Sequence, residues 1–316
     1  MTLKTYQTSK NKSTRKNLPK HKKLNCNPGV KNVVRGSCFP VEILELLKKS
    51  YNENNKDNEI VSDKPRSIWK DLKDRLRTCK KEDCWLNVLK DQHIREKIER
   101  YLFIPRPLQP DEWRTNPNTW LSNFNIDDVL GQYELSYPHF KAIQTATIDF
   151  DEICYVKDLC KLRNKEELEE YLKMGKTKIG VVFNLDKFSE DGSHWVSLFI
   201  DLQDKFVFYF DSNGDKIPSE IKKLVENIKK YAKELEEPIE LVEYNNYKVE
   251  HQKEDSECGM YSLFFIITML TGKLNNVPFK SLDSKIKLFR EPSIPDKYVN
   301  EFRKIYFKDQ QNLNII

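Results

Sequence analysis

Hydrophobic positions follow a helical spacing through the first third of the chain. Ile43, Leu46 and Leu47 lie three and four residues apart, and the same spacing returns over 67–103. This spacing is typical of amphipathic helices that pack on a common core. Four prolines between 105 and 117 then interrupt the pattern, because proline cannot continue a helix. The predicted division is a tail over residues 1–25, a helical arm domain over 26–110 and a second, larger domain over 111–316.

The second domain mixes helical and strand periods, which predicts an α+β fold. Two runs rich in β-branched and aromatic residues flank Gln203-Asp204 and predict a β-hairpin. The segment from Cys258 to Leu270 is apolar nearly all round, which at this length predicts a buried central helix. We expect a mainly antiparallel sheet packed on that helix. The other predicted elements are helices over 120–130 and 219–235 and strands over 178–185 and 239–244.

Composition and cysteine usage exclude several classes of protein. The longest apolar run, Met260 to Leu270, has 11 residues. A bilayer span needs about 20, so we expect no membrane span. The first 25 residues lack the apolar stretch of a secretory signal, so we expect the protein not to be secreted. The odd count of seven cysteines favours reduced thiols. No C-x-x-C pair occurs, so we predict no metal and no other cofactor.

The net charge of +5 is unevenly distributed along the chain. Residues 1–41 contain ten basic residues and no acidic one, so the remainder is net acidic. A basic segment with few apolar residues predicts a disordered tail over 1–25. Such a tail either keeps the protein in solution or attracts a nucleic acid electrostatically. The lack of aromatic residues interleaved with the basic ones favours the first interpretation.

Three polar residues stand where predicted core elements begin or end, at the rim where a rigid scaffold presents reactive groups. His194 precedes one strand, Asp211 follows the next, and Cys258 opens the buried helix. A thiol at a helix N-terminus meets unpaired N–H groups and the positive end of the dipole, which favour the reactive thiolate. An imidazole can take the thiol proton, and a carboxylate can orient the imidazole. The pattern predicts a nucleophile, a base and an orienting acid.

Two residues near the predicted nucleophile are candidates for supporting roles. Gly259 would leave room for a substrate backbone to pass close to the sulfur. The side-chain amide of Gln252 and the backbone N–H of Cys258 would together form a two-donor oxyanion hole. The sequence leaves one alternative residue for each of the other two roles. His251 could be the base instead of His194, and Asp201 could be the acid instead of Asp211.

These residues and their order resemble the SUMO-specific protease family and the adenovirus protease. The motifs that carry the resemblance are, in chain order, Trp120-Leu-Ser-Asn123, His194-Trp195, Asp211, Gln252 and Cys258-Gly259. The segments around them also look like the polyprotein-processing proteases of African swine fever virus and its relatives among large DNA viruses. Those proteases carry Asn at the orienting position, whereas Asp211 follows the SUMO proteases. The resemblance covers roughly residues 115–270.

The resemblance implies a papain-like cysteine protease domain, with a permuted order of catalytic residues and an added N-terminal helical arm domain. It implies a thiol endopeptidase that cleaves viral polyproteins after Gly-Gly during virion maturation, without a cofactor. The location would be the host cytoplasm, at virus assembly sites, and the virion. Two tryptophans would form a slot too narrow for side chains larger than glycine. The candidate substrate-binding residues are Trp120, Asn123, Trp195 and Gly259.

Three alternatives come from other classes of activity. The first is an isopeptidase that removes a ubiquitin-like protein, so the substrate partner is a polyprotein or a ubiquitin-like protein. The second is an acetyltransferase with the same His–acid–Cys arrangement. The third is a non-catalytic structural or nucleic-acid-binding protein that keeps the fold and acts through its basic tail. Thiol-directed labelling that depends on Cys258 would exclude the third.

Overall fold

The arm region is helical, as the spacing of its apolar residues predicts. A computed structural model describes residues 18, 26–31, 33–79, 81–162, 164–274, 277–291 and 294–308. The helices of the arm region are α1 Val41–Asn54, α2 Pro65–Arg75, α3 Glu82–Trp85 and α4 Gln92–Leu102. Single 3₁₀ turns follow α1 at Lys56–Asn58, follow α3 at Leu86–Val88 and open the second domain at Asp111–Arg114. The spacing over 67–103 therefore belongs to three separate helices.

The second domain alternates helices and strands. Its helices are α5 Asn123–Ser136, α6 Lys157–Lys161, α7 Lys165–Lys173, α8 Ser219–Lys233, α9 Cys258–Thr271, α10 Leu282–Arg290, α11 Asp296–Asn300 and α12 Arg303–Tyr306. Its strands are β1 Phe140–Ala142, β2 Ala146–Thr147, β3 Lys178–Asn184, β4 Trp195–Asp201, β5 Phe206–Phe210, β6 Val242–Asn245, β7 Lys273–Leu274 and β8 Val277–Pro278. The α+β class predicted from the mixed periods is observed. No helix in the described ranges combines the length and apolarity that crossing a bilayer requires.

The sheet is mixed rather than mainly antiparallel. Its strand order is β1-β3-β4-β5-β6, with β2 also paired to β3. The central pairs β3–β4 and β4–β5 are antiparallel, whereas β1, β2 and β6 add as parallel strands. Ser197 pairs with Phe210, so the start of β4 lies beside the end of β5. This register brings His194 and Asp211 to the same edge of the sheet.

Two hydrophobic layers cover the sheet. Alternate side chains such as Phe208 and Phe210 face the layer that contains α9, while Val207 and Tyr209 face the layer that contains α8, because successive residues of a strand point to opposite faces. Helix α9 is buried from Cys258 to Leu270, as its apolar composition predicts. It ends at Gly272, whose φ of 61° is the left-handed conformation that glycine adopts without strain.

A third hydrophobic cluster forms the core of the arm region. It extends from Val30 to Phe103, and Ile104 already belongs to the core around α9. The arm also contacts the far end of the chain, where the Lys308 ammonium lies 3.0 Å from the Glu99 carboxylate. Of the predicted tail, only Leu18 falls within the described residues, and it packs half-buried against the core around α9.

Six of the seven cysteines are paired, which differs from the reduced thiols expected from the odd count. The disulfides are Cys26–Cys38, Cys79–Cys84 and Cys154–Cys160. Each joins positions at most 12 residues apart, with Cα atoms between 5.1 and 6.0 Å, within the usual range for such bonds. An odd count accommodates three local pairs and one thiol, and that thiol is Cys258.

Candidate active site

His194 and Asp211, the predicted base and acid, are in direct contact at one end of the central strands. The imidazole Nε2 of His194 lies 2.7 Å from Oδ1 of Asp211. An ionised carboxylate only accepts hydrogen bonds, so Nε2 carries the proton and donates it. The carboxylate is fully buried and the imidazole side chain is 14% exposed. This contact leaves the other ring nitrogen, Nδ1, free to serve the thiol.

Cys258 interacts with the same imidazole. Burial lowers the pKa of His194, but hydrogen bonds to Asp211 and Cys258 outweigh it and raise this pKa to about 10. The imidazole is therefore charged at neutral pH, and a positive ring beside the sulfur favours a thiolate. The three residues predicted from separate segments of the sequence are thus brought together.

The thiol occupies the first position of α9 and is 2% exposed. Glu257 precedes it as the N-cap residue, and its carbonyl accepts the first helical hydrogen bond from the Tyr261 N–H at 2.9 Å. The N–H groups at this end have no partner within the helix, and their dipoles favour a negative charge at the sulfur. The sulfur is therefore nearly buried at the positive end of the helix dipole.

Asp211 is held by Asn246, a residue that the sequence did not single out. The Asn246 amide accepts from the backbone N–H of Asp211 at 3.0 Å and donates to its carbonyl at 2.5 Å. It also donates to the Val249 carbonyl at 3.0 Å. Gly214 makes this docking possible, because its φ is 75° and a Cβ there would lie 2.7 Å from the Val249 backbone. The only sequence signal was an asparagine two residues after the strand predicted over 239–244.

Gln252 is tied to the residue that follows the acid. Its backbone N–H donates to the Ser212 carbonyl at 3.0 Å, and its side-chain oxygen accepts from the Ser212 hydroxyl at 2.8 Å. The amide nitrogen donates one proton to the Glu254 carbonyl at 2.5 Å. An amide nitrogen has two protons, so one remains for a second acceptor. The oxyanion role of Gln252 stays a prediction that this orientation permits.

The two rival residues serve the core of the protein. His251 is fully buried, and its ring lies 2.8 Å from the Phe289 carbonyl and accepts from the Ile294 N–H at 3.0 Å. Asp201 ends β4 at the opposite edge from His194 and forms a buried ion pair with Lys178. Neither rival can complete the arrangement around Cys258, because both polar groups are engaged elsewhere.

Both predicted slot tryptophans line one cavity of about 510 Å³. Trp120 is 43% exposed and Trp195 is 8% exposed. The indole N–H of Trp195 donates to the Leu121 carbonyl at 3.0 Å, which fixes the segment that carries Trp120. Asn123, which is the first residue of α5, lines the same cavity. The predicted helix start at Trp120 was three residues too early, because Ser122 caps the helix.

Gly259 packs closely against the residues of this wall. A Cβ at this position would lie 3.1 Å from Leu121 Cβ and 3.3 Å from Trp195 Cδ1. The space left by the missing side chain is therefore filled by protein, which differs from the passage for substrate backbone that the sequence suggested. Its place in substrate binding stays a prediction. No cluster of His, Cys, Asp and Glu suited to a metal ion occurs among the described residues.

Comparison with known proteins agrees with this geometry. Residues 149–315 match the model of the Ulp1 protease family, C-terminal catalytic domain. A thiol protease of Acanthamoeba polyphaga mimivirus is 29% identical over 304 residues, which cover 90% of this chain and 93% of that protein. A cysteine protease of African swine fever virus is 28% identical over 197 residues, which cover 60% of this chain and 67% of that protein.

The fold also matches a solved structure. The crystal structure of the African swine fever virus pS273R protease gives a TM-score of 0.56 at 21% identity and covers 94% of this chain and 100% of that chain. At this identity the likeness speaks for the fold alone. It confirms the predicted papain-like α+β class with an N-terminal helical region.

Proposed function

This chain belongs to the Ulp1 protease family and is a cysteine protease, and from that premise we propose that it processes viral polyproteins after Gly-Gly during virion maturation. Two similar proteases come from large DNA viruses, mimivirus and African swine fever virus. Its working place would be the assembly sites in the host cytoplasm and the virion itself. The single observation that carries the specificity is the cavity walled by Trp120 and Trp195.

The proposed mechanism assigns one role to each residue. The Cys258 thiolate attacks the scissile carbonyl carbon, and the backbone N–H of Cys258 and the amide of Gln252 bind the resulting oxyanion. The His194 imidazolium gives its proton to the leaving amine, which departs and leaves a thioester. The neutral imidazole then takes a proton from water, whose oxygen attacks the thioester and releases the acid. Asp211 holds the ring and balances its charge throughout.

The two tryptophans account for the proposed preference for glycine. The Trp195 indole is held by its hydrogen bond to the Leu121 carbonyl, in the segment that carries Trp120, so the Trp195 side of the cavity is fixed. Cys258 is 2% exposed, and Gly259, which follows it, packs against Trp195. A substrate backbone without side chains occupies the least width, so glycine is favoured at the two positions before the scissile bond.

Cleavage of a peptide library by the unmodified enzyme tests this specificity. New termini identified by mass spectrometry should follow Gly-Gly. Equal cleavage after bulky pairs would overturn the slot. Trp195→Ala should admit alanine before the scissile bond and bind Gly-Gly peptides more weakly. Incubation with candidate capsid polyproteins then tests the natural substrate, because a processing enzyme must release termini at the same motif.

A second candidate function is the removal of a ubiquitin-like protein from its targets. The observation in its favour is that several African swine fever virus relatives carry the name SUMO-1 cysteine protease. The comparison of a peptide that contains Gly-Gly with a folded ubiquitin-like protein whose Gly-Gly is followed by a C-terminal extension separates the two. A processing endopeptidase cleaves both at similar kcat/KM, whereas an isopeptidase cleaves the folded protein far better.

A further inference from the structure

The C-terminal helices contact both the nucleophile helix and the wall of the substrate cavity. Glu257, directly before Cys258, is buried, and its Oε1 accepts from the Asn300 side-chain amide at 2.7 Å. Asn300 Oδ1 in turn accepts from Arg303 Nε at 3.3 Å. Arg303 Nη1 donates to the Thr119 carbonyl at 3.0 Å, and Thr119 directly precedes Trp120. A continuous chain of hydrogen bonds therefore joins the two parts of the site.

Arg303 is an unusual residue at this place. It is 6% exposed, its guanidinium lies over the Trp113 ring at 4.4 Å, and its Nη2 has no hydrogen-bond partner. Burying a guanidinium with an unpaired N–H group lowers stability relative to an apolar side chain. Burial lowers its pKa to about 10, while nearby Glu257 and Cys258 act in the opposite direction, so the group stays charged at neutral pH. A residue kept at a cost in stability points to a role in the site.

We propose that Arg303 is a positioning residue of the protease. It holds the Trp120 side of the cavity, called the Trp120 wall below, through the Thr119 carbonyl, and it connects that wall through Asn300 and Glu257 to the Cys258 end of α9. This inference rests on one part of the proposed function, namely that the Trp120 wall binds the substrate. It assigns the C-terminal segment to the active site. Substitutions at the two ends of this chain of hydrogen bonds should change different kinetic constants. Arg303 contacts the Trp120 wall, so its loss should change KM, whereas Asn300 contacts Glu257, so its loss should change kcat.

The test compares Arg303→Met, Arg303→Lys and Asn300→Ala with the control Lys304→Met, an exposed neighbour. Arg303→Met keeps the contact with Trp113 but removes the donors, so KM for the cleaved peptide should rise about tenfold while kcat changes less than about threefold. Asn300→Ala should lower kcat and leave KM within about twofold. Arg303→Lys keeps one donor and should fall between, and Lys304→Met should match the unmodified enzyme.

Alkylation of Cys258 by iodoacetamide separates positioning from loss of fold. Iodoacetamide is too small to bind the Trp120 wall. The rate of Cys258 alkylation should therefore stay within about twofold in Arg303→Met, while KM for the peptide rises. Unchanged KM in the folded Arg303 variants, or a parallel loss of alkylation and cleavage, would overturn the proposal. If Arg303→Met does not fold, Arg303→Lys decides by the same readouts. If the unmodified enzyme does not cleave Gly-Gly peptides, the proposed specificity fails, and the comparison uses the peptide that the library selects.

Discussion

Three side chains at the ends of three core elements form the proposed catalytic triad. His194 stands before β4, Asp211 after β5 and Cys258 at the start of α9, and the antiparallel register brings the first two to within 2.7 Å. The rivals His251 and Asp201 have polar partners that the sequence does not reveal. At the scale of residues, a polar side chain that is already hydrogen-bonded or ion-paired within the core is not available to pair with Cys258 or His194.

If Asp211 rather than Asp201 is the orienting acid, substitution of Asp211 should lower activity and substitution of Asp201 should lower stability. His194→Ala should lower kcat by about 10²–10⁴-fold, because the general base is removed. Asp211→Asn should be milder, because the amide oxygen can still accept from the ring while the charge is lost. Asp201→Asn should keep the activity but lower the free energy of unfolding by about 3 kcal/mol, because it breaks a buried pair with Lys178. A silent Asp211→Asn beside an inactive Asp201→Asn would reverse the assignment.

Gln252→Ala should lower kcat by about 10²–10³-fold with little change in KM, because an oxyanion donor acts mainly in the transition state. Steady-state kinetics on the cleaved peptide measure both constants. An effect confined to KM would instead make Gln252 a substrate-positioning residue. Gln203→Ala, an exposed glutamine in the turn between β4 and β5, is the matched control.

The raised pKa of His194 predicts how stability depends on pH. The imidazole pKa is 6.5 when unfolded and about 10 when folded. Its charged contacts therefore stabilise the fold fully below pH 6.5, and this contribution is lost as pH rises towards 10. Cys258→Ser removes the thiol but keeps Asp211 as the partner of the ring, so urea unfolding of this variant should show stability falling as pH rises above 6.5, by at most about 1.4 kcal/mol per pH unit. Adding His194→Gln should flatten that slope, and an unchanged slope would contradict the raised pKa.

At the scale of elements, two loops form one unit behind the triad. The turn over 211–214 docks on the segment over 245–252, where Asn246 binds Asp211 and Ser212 binds Gln252. The orienting acid and the predicted oxyanion donor are therefore fixed to each other. A change in either loop is expected to reach both functions.

Ser212→Ala tests this coupling. It removes the hydroxyl that donates to the Gln252 side-chain oxygen at 2.8 Å, so the amide loses its fixed orientation. We expect kcat to fall about tenfold while KM stays within about twofold. Ser219→Ala, an exposed serine at the start of α8, is the control. A fall in KM or thermal stability alone, with kcat unchanged, would limit Ser212 to a structural role.

The sequence predicted the elements that carry their own pattern and missed the features made by distant contacts. Helix α9 was predicted from apolar residues on every face, and its limits agree with the structure to within one residue. The β4–β5 turn was predicted with two residues but spans four, because Lys205 takes a left-handed φ of 58° that no sequence signal announces. Asn246 and Arg303 were missed because their partners lie 35 and 184 residues away.

At the scale of the whole molecule, the helical arm and the C-terminal helices extend a compact protease core. The arm has its own hydrophobic cluster and meets the end of the chain at Glu99 and Lys308. The C-terminal helices contact the segment directly before Trp120 through Arg303. The ten basic residues within 1–41 make the N-terminal segment the most positively charged part of the chain.

Deletion of residues 1–17 should leave peptide cleavage intact, because it spares Leu18, which packs on the core around α9. If the basic segment attracts a nucleic acid, the deletion should weaken binding and flatten its dependence on salt. Binding to a duplex at several salt concentrations measures this, with peptide cleavage as the internal control. Loss of cleavage would show that the segment contributes to the protease core.

The most direct measurement is the covalent labelling of the protein by a peptide that ends in a Gly-Gly vinyl methyl ester. The thiolate adds to the vinyl carbon, so intact mass and peptide mapping locate the adduct. We predict one adduct, on Cys258, which forms much more slowly in His194→Ala and not at all in Cys258→Ser. Labelling at another residue, or peptide cleavage that survives in Cys258→Ser, would contradict the account.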